Sequence, residues 1–202
     1  NGFDGFGIGS LGFQGINDLT KTLVCFMENF KDDNRPLHFF GVSGQRTTFI
    51  IHYLMQKYNK TNITFDSASY GGGAMRLEFV NYFNNFKCSF GENSNNTLTQ
   101  LPCICPVCSK INNIQIIKQG GSLPGALLSL HNLYNYIEFE NFVKNLSSDL
   151  QTYKNFILTK KYIDENVLNF IDNSFDKGVQ DSIKKYSYLF TQQTSKQQTI
   201  NF

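Results

Sequence analysis

Three of the five cysteines in the chain lie within six residues, as Cys103, Cys105 and Cys108, and His131 follows after 22 intervening residues. Thiolate sulfur and imidazole nitrogen are the ligands that zinc prefers, and three sulfurs with one nitrogen complete a closed tetrahedral shell. The pattern predicts a structural zinc site. The thiolates would lie in one tight turn, and the imidazole would come from a helix packed against that turn.

Two other interpretations of these residues are compatible with the sequence. Cys105 and Cys108 alone have the spacing of a redox pair, and clustered cysteines can also be incidental core residues. A histidine on an apolar helix face, such as His131, is commonly a core residue bonded to the backbone. In a reducing compartment, however, clustered cysteines are more often metal ligands than disulfides, which favours the metal site.

A second group of candidate residues follows short apolar segments in the first third of the chain. Asp66 ends "NITFD", and the glycine-rich loop "GIGSL" (Gly7 to Leu11) follows another apolar segment. An aspartate before serine often stabilises a turn, and a glycine-rich loop is an ordinary connection from strand to helix. His38, which lies shortly before Gly41, is typical of a core histidine. These residues therefore indicate no chemistry when each is taken alone.

The elements that must position these residues alternate between strand and helix. Strands are predicted at residues 3–11, 36–42 and 62–69. Helices are predicted from an N-cap at Asn17 through Phe30, and over residues 47–58. This order is typical of βαβ units on a parallel sheet, so the predicted fold class is α/β. Loops at the carboxyl ends of such strands commonly form the active site.

The remainder of the chain is predicted to be irregular at first and then helical. Residues 70–100 are rich in glycine and asparagine and are predicted to form an irregular loop. A helix is expected from Pro124, as its first residue, to about Leu146. Two or three further helices are expected between residues 149 and 189, followed by a frayed polar tail.

Composition excludes some classes of protein and leaves others open. A chain of 202 residues with 41% hydrophobic residues is expected to form one globular domain, or one and a half. The net charge of +2 does not by itself indicate a nucleic-acid binder. The sequence lacks an apolar run of about 18 residues and a basic leader, so a soluble cytoplasmic protein is expected. Because the chain begins with Asn1, we expect it to be a fragment.

Several motifs together resemble the C-terminal half of the catalytic domain of tRNA-guanine transglycosylases. They are, in chain order, "LHFFGVSG", "TFDSASY", the Cys-x-Cys-x-x-Cys cluster and "LHNLY". The likeness covers residues 3–146 and is strongest to the archaeal type and to its DNA-modifying phage and bacterial relatives, the DpdA proteins. The sequence "DSASY" and the spacing between Cys108 and His131 are the archaeal-like features.

The resemblance implies the C-terminal part of a (β/α)8 TIM barrel with an inserted zinc-binding module and trailing helices. Residues 1–100 would form the sixth to eighth barrel strands with their helices, and residues 101–146 the zinc module. Residues 147–202 would form a helical segment with a polar tail. Three strands alone would leave open apolar edges, so the rest of the barrel is expected upstream or in a partner.

The same resemblance implies a chemistry and the residues that perform it. In this family, guanine in a nucleic acid is exchanged for a free 7-deazaguanine base. Breaking and remaking a glycosidic bond with the same configuration requires two displacements, as in retaining glycosidases. Asp66 matches the nucleophile, and His131 matches the fourth zinc ligand. The implied substrate-binding residues are Gly9, Ser10, Leu11, Gly41 and Ser67. Of these, Gly41 is a weaker match, together with Ser43 and Gly44 of the same loop.

Other aspects of the function stay open in the sequence. DNA is slightly favoured over tRNA, because no β-rich RNA-binding domain is evident after Leu146. A non-catalytic accessory subunit is an alternative, although such a subunit need not retain Asp66, and an unrelated zinc-stabilised nucleic-acid-binding module is a third. The expected partners are DNA or tRNA, a free 7-deazaguanine base and a second subunit in a homodimer or heterodimer. The acid/base carboxylates would lie on earlier strands, so these 202 residues alone should not turn over.

Overall fold

The computed structural model describes residues 3–12, 14–42, 44–91, 98–111, 114–146 and 148–190. Ser43 and the predicted polar tail, residues 191–202, lie outside the described residues. The chain divides into two compact units, which we call the sheet unit and the hairpin unit. The sheet unit comprises Asn1–Val42, Arg46–Asp66 and Leu146–Phe202, and the hairpin unit comprises Ser43–Gln45 and Ser67–Asn145.

The sheet unit contains a three-stranded parallel sheet. Its strands are β1 (Phe6–Ile8), β2 (Leu37–Phe39) and β3 (Ile63–Phe65), in the order β1-β2-β3. Each predicted strand is therefore present, although shorter than predicted, and the α/β fold class is confirmed. The described residues do not form a complete barrel.

Two helices follow the first two strands. Helix α1 (Ile16–Asn29) buries an apolar stripe that includes Leu19 and Leu23, as its periodicity predicts. The predicted N-cap at Asn17 is wrong, because the helix begins at Ile16 and its N-cap is Gly15. The Asn17 amide instead donates a hydrogen bond to the Leu189 carbonyl at 2.8 Å. Helix α2 (Gln45–Lys57) closely matches the predicted range.

The two faces of the parallel sheet differ in burial. Ile8, Leu37, Phe39 and Ile63 are buried on one face. Side chains alternate along a strand, so the residues between them point to the other face. There Gly7 and Thr64 are exposed and His38 is half-buried. The described residues of the sheet unit leave this second face partly exposed, and we call it the uncovered face of the sheet.

The hairpin unit contains structure where the sequence predicts an irregular loop. Helix α3 (Ser69–Met75) is followed by an antiparallel pair of strands, β4 (Glu78–Asn81) and β5 (Phe86–Ser89). The prediction for residues 70–100 is therefore wrong over these elements. Three consecutive glycines have low helix propensity. They are tolerated because α3 packs closely in the unit, where a Cβ on Gly73 would lie 3.1 Å from Glu78 Oε2.

The rest of the hairpin unit is built around one long helix. The short helix α4 (Gln115–Lys118) precedes α5 (Ser122–Lys144), in which Pro124 is the third residue and not the first as predicted. A turn of 3-10 helix at Cys108–Lys110 follows the cysteine cluster. The core of this unit consists of Ala74, Phe79, Phe90, Cys108, Ile114, Ile117 and Leu128.

Three helices complete the sheet unit, as expected from the sequence. They are α6 (Leu150–Thr159), α7 (Glu165–Lys177) and α8 (Val179–Lys185). Aspartate side chains cap the first two, because Asp149 accepts from the Thr152 N–H and Asp164 accepts from the Asn166 N–H. Within the described ranges, no helix has both the length and the apolar character needed to cross a membrane.

Candidate metal centre and strand-end site

The structure brings the predicted zinc ligands together. One ligand atom from each of Cys103, Cys105, Cys108 and His131 lies within 4.8 Å of all the others. His131 Nδ1 is 3.3 Å from Cys105 Sγ and 3.2 Å from Cys108 Sγ. Zinc bond lengths and tetrahedral angles place sulfur and nitrogen ligands about 3.5 Å apart, so the cluster has the dimensions of such a site.

A backbone contact orients the His131 imidazole towards the sulfurs. His131 Nε2 lies 3.0 Å from the Val80 carbonyl oxygen, to which an Nε2–H group donates. This bond leaves the lone pair of Nδ1 facing the sulfurs, the arrangement that a histidine ligand needs. The ring stacks on Phe79 with 4.0 Å between centroids and is fully buried. Burial lowers the pKa of His131, which favours the neutral, ligating form.

The cysteine turn is pre-arranged by its own backbone. The Cys105 N–H donates to Cys103 Sγ at 3.4 Å, and the Cys108 N–H donates to Cys105 Sγ at 3.3 Å. Burial raises the pKa of the Cys103 and Cys108 thiols, so these groups stay neutral unless a cation is near. A bound cation reverses this balance by stabilising the thiolates. The buried Cys3His group can therefore hold a metal ion such as zinc.

Two asparagines beside His131 also help to position the centre, and the sequence analysis missed them. Asn132 Oδ1 accepts the Val80 N–H at 3.0 Å, and its amide donates to the Glu78 carbonyl at 2.9 Å. Asn135 Oδ1 accepts the Tyr82 N–H at 2.7 Å. Together with His131, these side chains form hydrogen bonds with backbone groups of β4 and of Tyr82 just after it. The polar positions of "HNLYN" on a mostly apolar helix were the available signal.

The second candidate site lies at the carboxyl end of the parallel sheet. Asp66 directly follows β3, and its backbone N–H donates to the Phe39 carbonyl at 3.2 Å. The Gly41 N–H, just after β2, donates to Asp66 Oδ1 at 3.0 Å. The Asp66 side chain is 58% exposed, so its carboxylate is fixed at one oxygen and open to solvent. The structure thus joins two of the predicted site residues directly.

The loop after β1 reaches the same edge of the sheet with an unusual backbone conformation. Ser10 has a φ of 61° in the left-handed region, which normally favours glycine. Gly41 also has a positive φ, at 73°. The loops approach each other closely, because a Cβ on Gly12 would lie 2.5 Å from the Gly41 carbonyl oxygen. Gly9 and Ser10 are exposed, whereas Leu11 buries its side chain.

The strand order sets the spacing between these groups. Strand β2 lies between β1 and β3. Neighbouring strands are about 4.8 Å apart, so the end of β1 and the end of β3 are separated by about 10 Å. Gly41 lies between them. Along this edge the exposed backbone of Gly9 and Ser10 therefore lies on one side of Gly41, and the Asp66 carboxylate lies on the other.

Ser67 has a structural contact in this conformation. Its hydroxyl oxygen accepts the Ser69 N–H at 3.0 Å, a local bond at the start of α3. The substrate contact that the resemblance implies for Ser67 therefore stays a prediction. Ser43, a weaker match, falls outside the part of the chain that the structure describes.

His38 differs from its interpretation as a core histidine. The ring lies on the uncovered face of the sheet, and 31% of the side chain is exposed. Its Nε2 is 3.6 Å from Asp66 Oδ2. Strand alternation explains the difference, because the neighbours Leu37 and Phe39 take the buried face of this strand.

Compared with known proteins, the chain matches no family model and no curated protein.

Proposed function

We propose that this chain forms the nucleophile-bearing part of a guanine transglycosylase, which exchanges guanine in a nucleic acid for a free 7-deazaguanine base. The observation that carries the proposal is the exposed carboxylate of Asp66. It lies at the carboxyl end of β3 and is held by the Gly41 N–H. It is exposed at the same edge of the sheet from which residues 9–12, the β1 loop, extend.

The proposed chemistry consists of two displacements at C1′ of the target nucleoside. Asp66 attacks C1′ while the bond from C1′ to the guanine nitrogen breaks, and guanine leaves after accepting a proton. An ester then joins the carboxylate to the sugar. The incoming 7-deazaguanine loses a proton, attacks the same carbon and releases Asp66, so the original configuration is restored.

The β1 loop is the proposed reader of the base. In this proposal the Ser10 N–H and the Leu11 carbonyl bond the edge of the base, and Gly9 permits close approach of the backbone. The left-handed backbone at Ser10 supports this role, because such strain is tolerated where the structure needs a particular loop shape. The separation of about 10 Å from Asp66 suits a base bound at one end and its sugar at the other. Gly41 and Ser67 would contact the sugar or the backbone.

The parallel sheet is proposed to be the sixth to eighth strands of a TIM barrel. Purely parallel sheets are normally buried on both faces. The uncovered face would therefore line the interior of a barrel, and further strands would pair with the edge strands β1 and β3. Those further strands would also carry the acid/base carboxylates. Cys103, Cys105, Cys108 and His131 would hold a zinc ion, which in a four-ligand site of this kind crosslinks the fold without entering the reaction.

Duplex DNA is the proposed substrate, and tRNA is the alternative that the experiment must separate. In either nucleic acid the target base has to leave its stack, at a cost of a few kcal/mol. The reaction would take place in the cytoplasm. An accessory subunit is less favoured, because it has no need of the exposed, backbone-held carboxylate of Asp66.

The test is base exchange by the complete gene product, as wild type and as Asp66→Asn. Release of labelled guanine is followed from duplex DNA and separately from tRNA after addition of a free 7-deazaguanine. The wild type should exchange the base, and Asp66→Asn should abolish exchange, because the amide is not a nucleophile for C1′. Without an incoming base, the wild type should accumulate a covalent protein–nucleic acid adduct that Asp66→Asn does not form.

Asp181→Asn is the matched control. Its side chain is 75% exposed on α8, and it should exchange the base at the wild-type rate. Exchange on tRNA but not on DNA would change the proposed substrate. A folded, zinc-loaded protein that exchanges neither would refute Asp66 as the nucleophile and favour the accessory-subunit alternative.

A further inference from the structure

His38 lies at the centre of a row of residues across the uncovered face of the sheet. The register aligns Gly7 of β1 with His38 of β2, and His38 with Thr64 of β3. Asp66 is two residues beyond Thr64 and therefore continues the same face just past the strand end. The His38 ring is thus adjacent to the carboxylate because of the strand register.

Contacts on two sides hold the imidazole ring. Nδ1 lies 2.8 Å from Thr64 Oγ1. The Phe40 ring packs edge-on against the imidazole, with 4.3 Å between centroids. Phe40 can lie there because position 7 is glycine, where a Cβ would come within 2.7 Å of Phe40 Cε2. These contacts point Nε2 at Asp66 Oδ2, which is 3.6 Å away.

The bond to Thr64 has two possible directions, and they have opposite effects on Asp66. If the Thr64 hydroxyl donates to Nδ1, the proton of a neutral imidazole lies on Nε2 and faces the carboxylate. If Nδ1–H donates to Thr64, the lone pair of Nε2 faces the carboxylate and repels it. The negative charge of Asp66 therefore favours the first arrangement.

We propose that His38 is a positioning residue for Asp66, with Thr64 fixing the tautomer that presents Nε2–H to Asp66 Oδ2. This inference rests on the proposed function. The Gly41 N–H already holds Oδ1 at 3.0 Å, so His38 supplies a second point of attachment and sets the plane of the carboxylate. The separation of 3.6 Å exceeds a hydrogen bond. We expect the contact to shorten when substrate is bound, because catalytic contacts are commonly long in ligand-free structures.

Loss of this positioning contact should lower kcat and leave the KM for the free base unchanged. A carboxylate displaced by about 1 Å from the line of attack loses about 100-fold in rate. The free base is proposed to bind at the β1 loop, so its KM should not depend on His38. A substitution that merely loosened the fold would also lower thermal stability and alter both constants.

Two pairs of substitutions test this role in the complete gene product. His38→Gln can place an N–H group near the position of Nε2, whereas His38→Asn reaches only the region of Nδ1. Thr64→Ser keeps the hydroxyl, whereas Thr64→Val removes it with little change of shape. His38→Asn should lower kcat for base exchange about 100-fold with an unchanged KM for the free base. His38→Gln should retain most of the kcat that His38→Asn loses, and Thr64→Ser should retain most of the kcat that Thr64→Val loses.

A readout independent of activity separates this inference from the proposed function. The ¹⁵N chemical shifts of the His38 ring distinguish protonated Nε2 from protonated Nδ1 and therefore report its tautomer. The wild type should show protonated Nε2, and both Thr64→Val and Asp66→Asn should give a mixture of tautomers.

The possible results are distinguishable. Base exchange that requires Asp66 but is unchanged in His38→Asn overturns the inference and leaves the proposed function standing. A mixture of tautomers in the wild type also overturns it. A wild type that shows the single tautomer but exchanges no base overturns the proposed function, and the role of His38 in it, while leaving the contact itself established.

Discussion

At the scale of single residues, the metal centre depends on side chains that are costly to bury without a ligand. The thiol of Cys108 and the imidazole of His131 lie in the core of the hairpin unit, and burial disfavours the charged form of each. The contacts from the Val80 carbonyl and from the cysteine backbone orient these groups towards one point. A cation at that point would be bound by Cys108 and His131, which are buried, and by Cys103 and Cys105, which are half-buried.

Cys108→Ser should remove metal binding. A serine hydroxyl stays protonated and is a much weaker ligand for zinc than a thiolate, so the closed shell loses one of its four members. Metal analysis of the purified protein should find about one zinc per chain in the wild type and far less in the variant. Cys25→Ser is the control, because Cys25 lies on α1 in the sheet unit. Full zinc content in Cys108→Ser would contradict the assignment.

At the scale of elements, the helices of the sheet unit are joined by one partly buried charge. Asp172 of α7 accepts from Tyr53 of α2 at 2.8 Å and pairs with Lys57 of α2 at 3.1 Å. It also pairs with Lys154 of α6 at 2.6 Å. Burial alone would raise the pKa of Asp172, but the hydrogen bonds from Lys154, Tyr53 and Lys57 outweigh it and lower the pKa.

Asp172→Asn should destabilise the protein in a pH-dependent way. Near pH 7 we expect a loss of about 1–3 kcal/mol in the free energy of unfolding, because Lys57 and Lys154 each lose a close carboxylate partner. A carboxyl whose pKa is lowered by folding stabilises the protein above its unfolded pKa, and the effect disappears as the pH falls through the folded pKa. The difference between variant and wild type should therefore shrink below about pH 4.

Urea unfolding of wild type and variant, at about pH 7 and again below about pH 4, measures this effect. Asp176→Asn is the matched control on the same helix, because that side chain is 60% exposed and 3.9 Å from Lys57. It should change the free energy of unfolding by no more than about 0.5 kcal/mol. An equal loss for Asp172→Asn at neutral and acid pH would show that its charge is not responsible.

At the scale of the whole molecule, the two units depend on different sources of stability. The hairpin unit packs its core around Cys108, between a short two-stranded sheet and α5. The sheet unit has its own buried residues on α1, α2 and α7, and none of the four predicted zinc ligands belongs to it. Removal of a metal should therefore affect the units unequally.

A chelator should open the hairpin unit while the sheet unit stays folded. Binding energy at a structural metal site is folding energy, so metal removal lowers the local stability of the segment that the site crosslinks. Hydrogen exchange followed by mass spectrometry should show loss of protection in Ser67–Asn145 and retention in α1, α2 and α7. Cys108→Ser should give the same pattern without chelator, and added zinc should reverse only the chelator effect. Uniform loss of protection across both units would contradict this division.

The sequence by itself determined the features that depend on local spacing. The cysteine cluster, the alternation of strand and helix before Asp66, and the apolar stripe of α1 follow from residue type and periodicity. The helix across Gly71–Gly73 and the β4–β5 hairpin were missed, because close packing overrides the low propensity of glycine for a helix. Only the tertiary structure decided which groups meet across distant segments: Gly41 with Asp66, His131 with the edge of β4, and His38 with Thr64. Such contacts depend on which strands become neighbours in the sheet and on how distant segments pack, and the spacing of residues within one segment does not determine either.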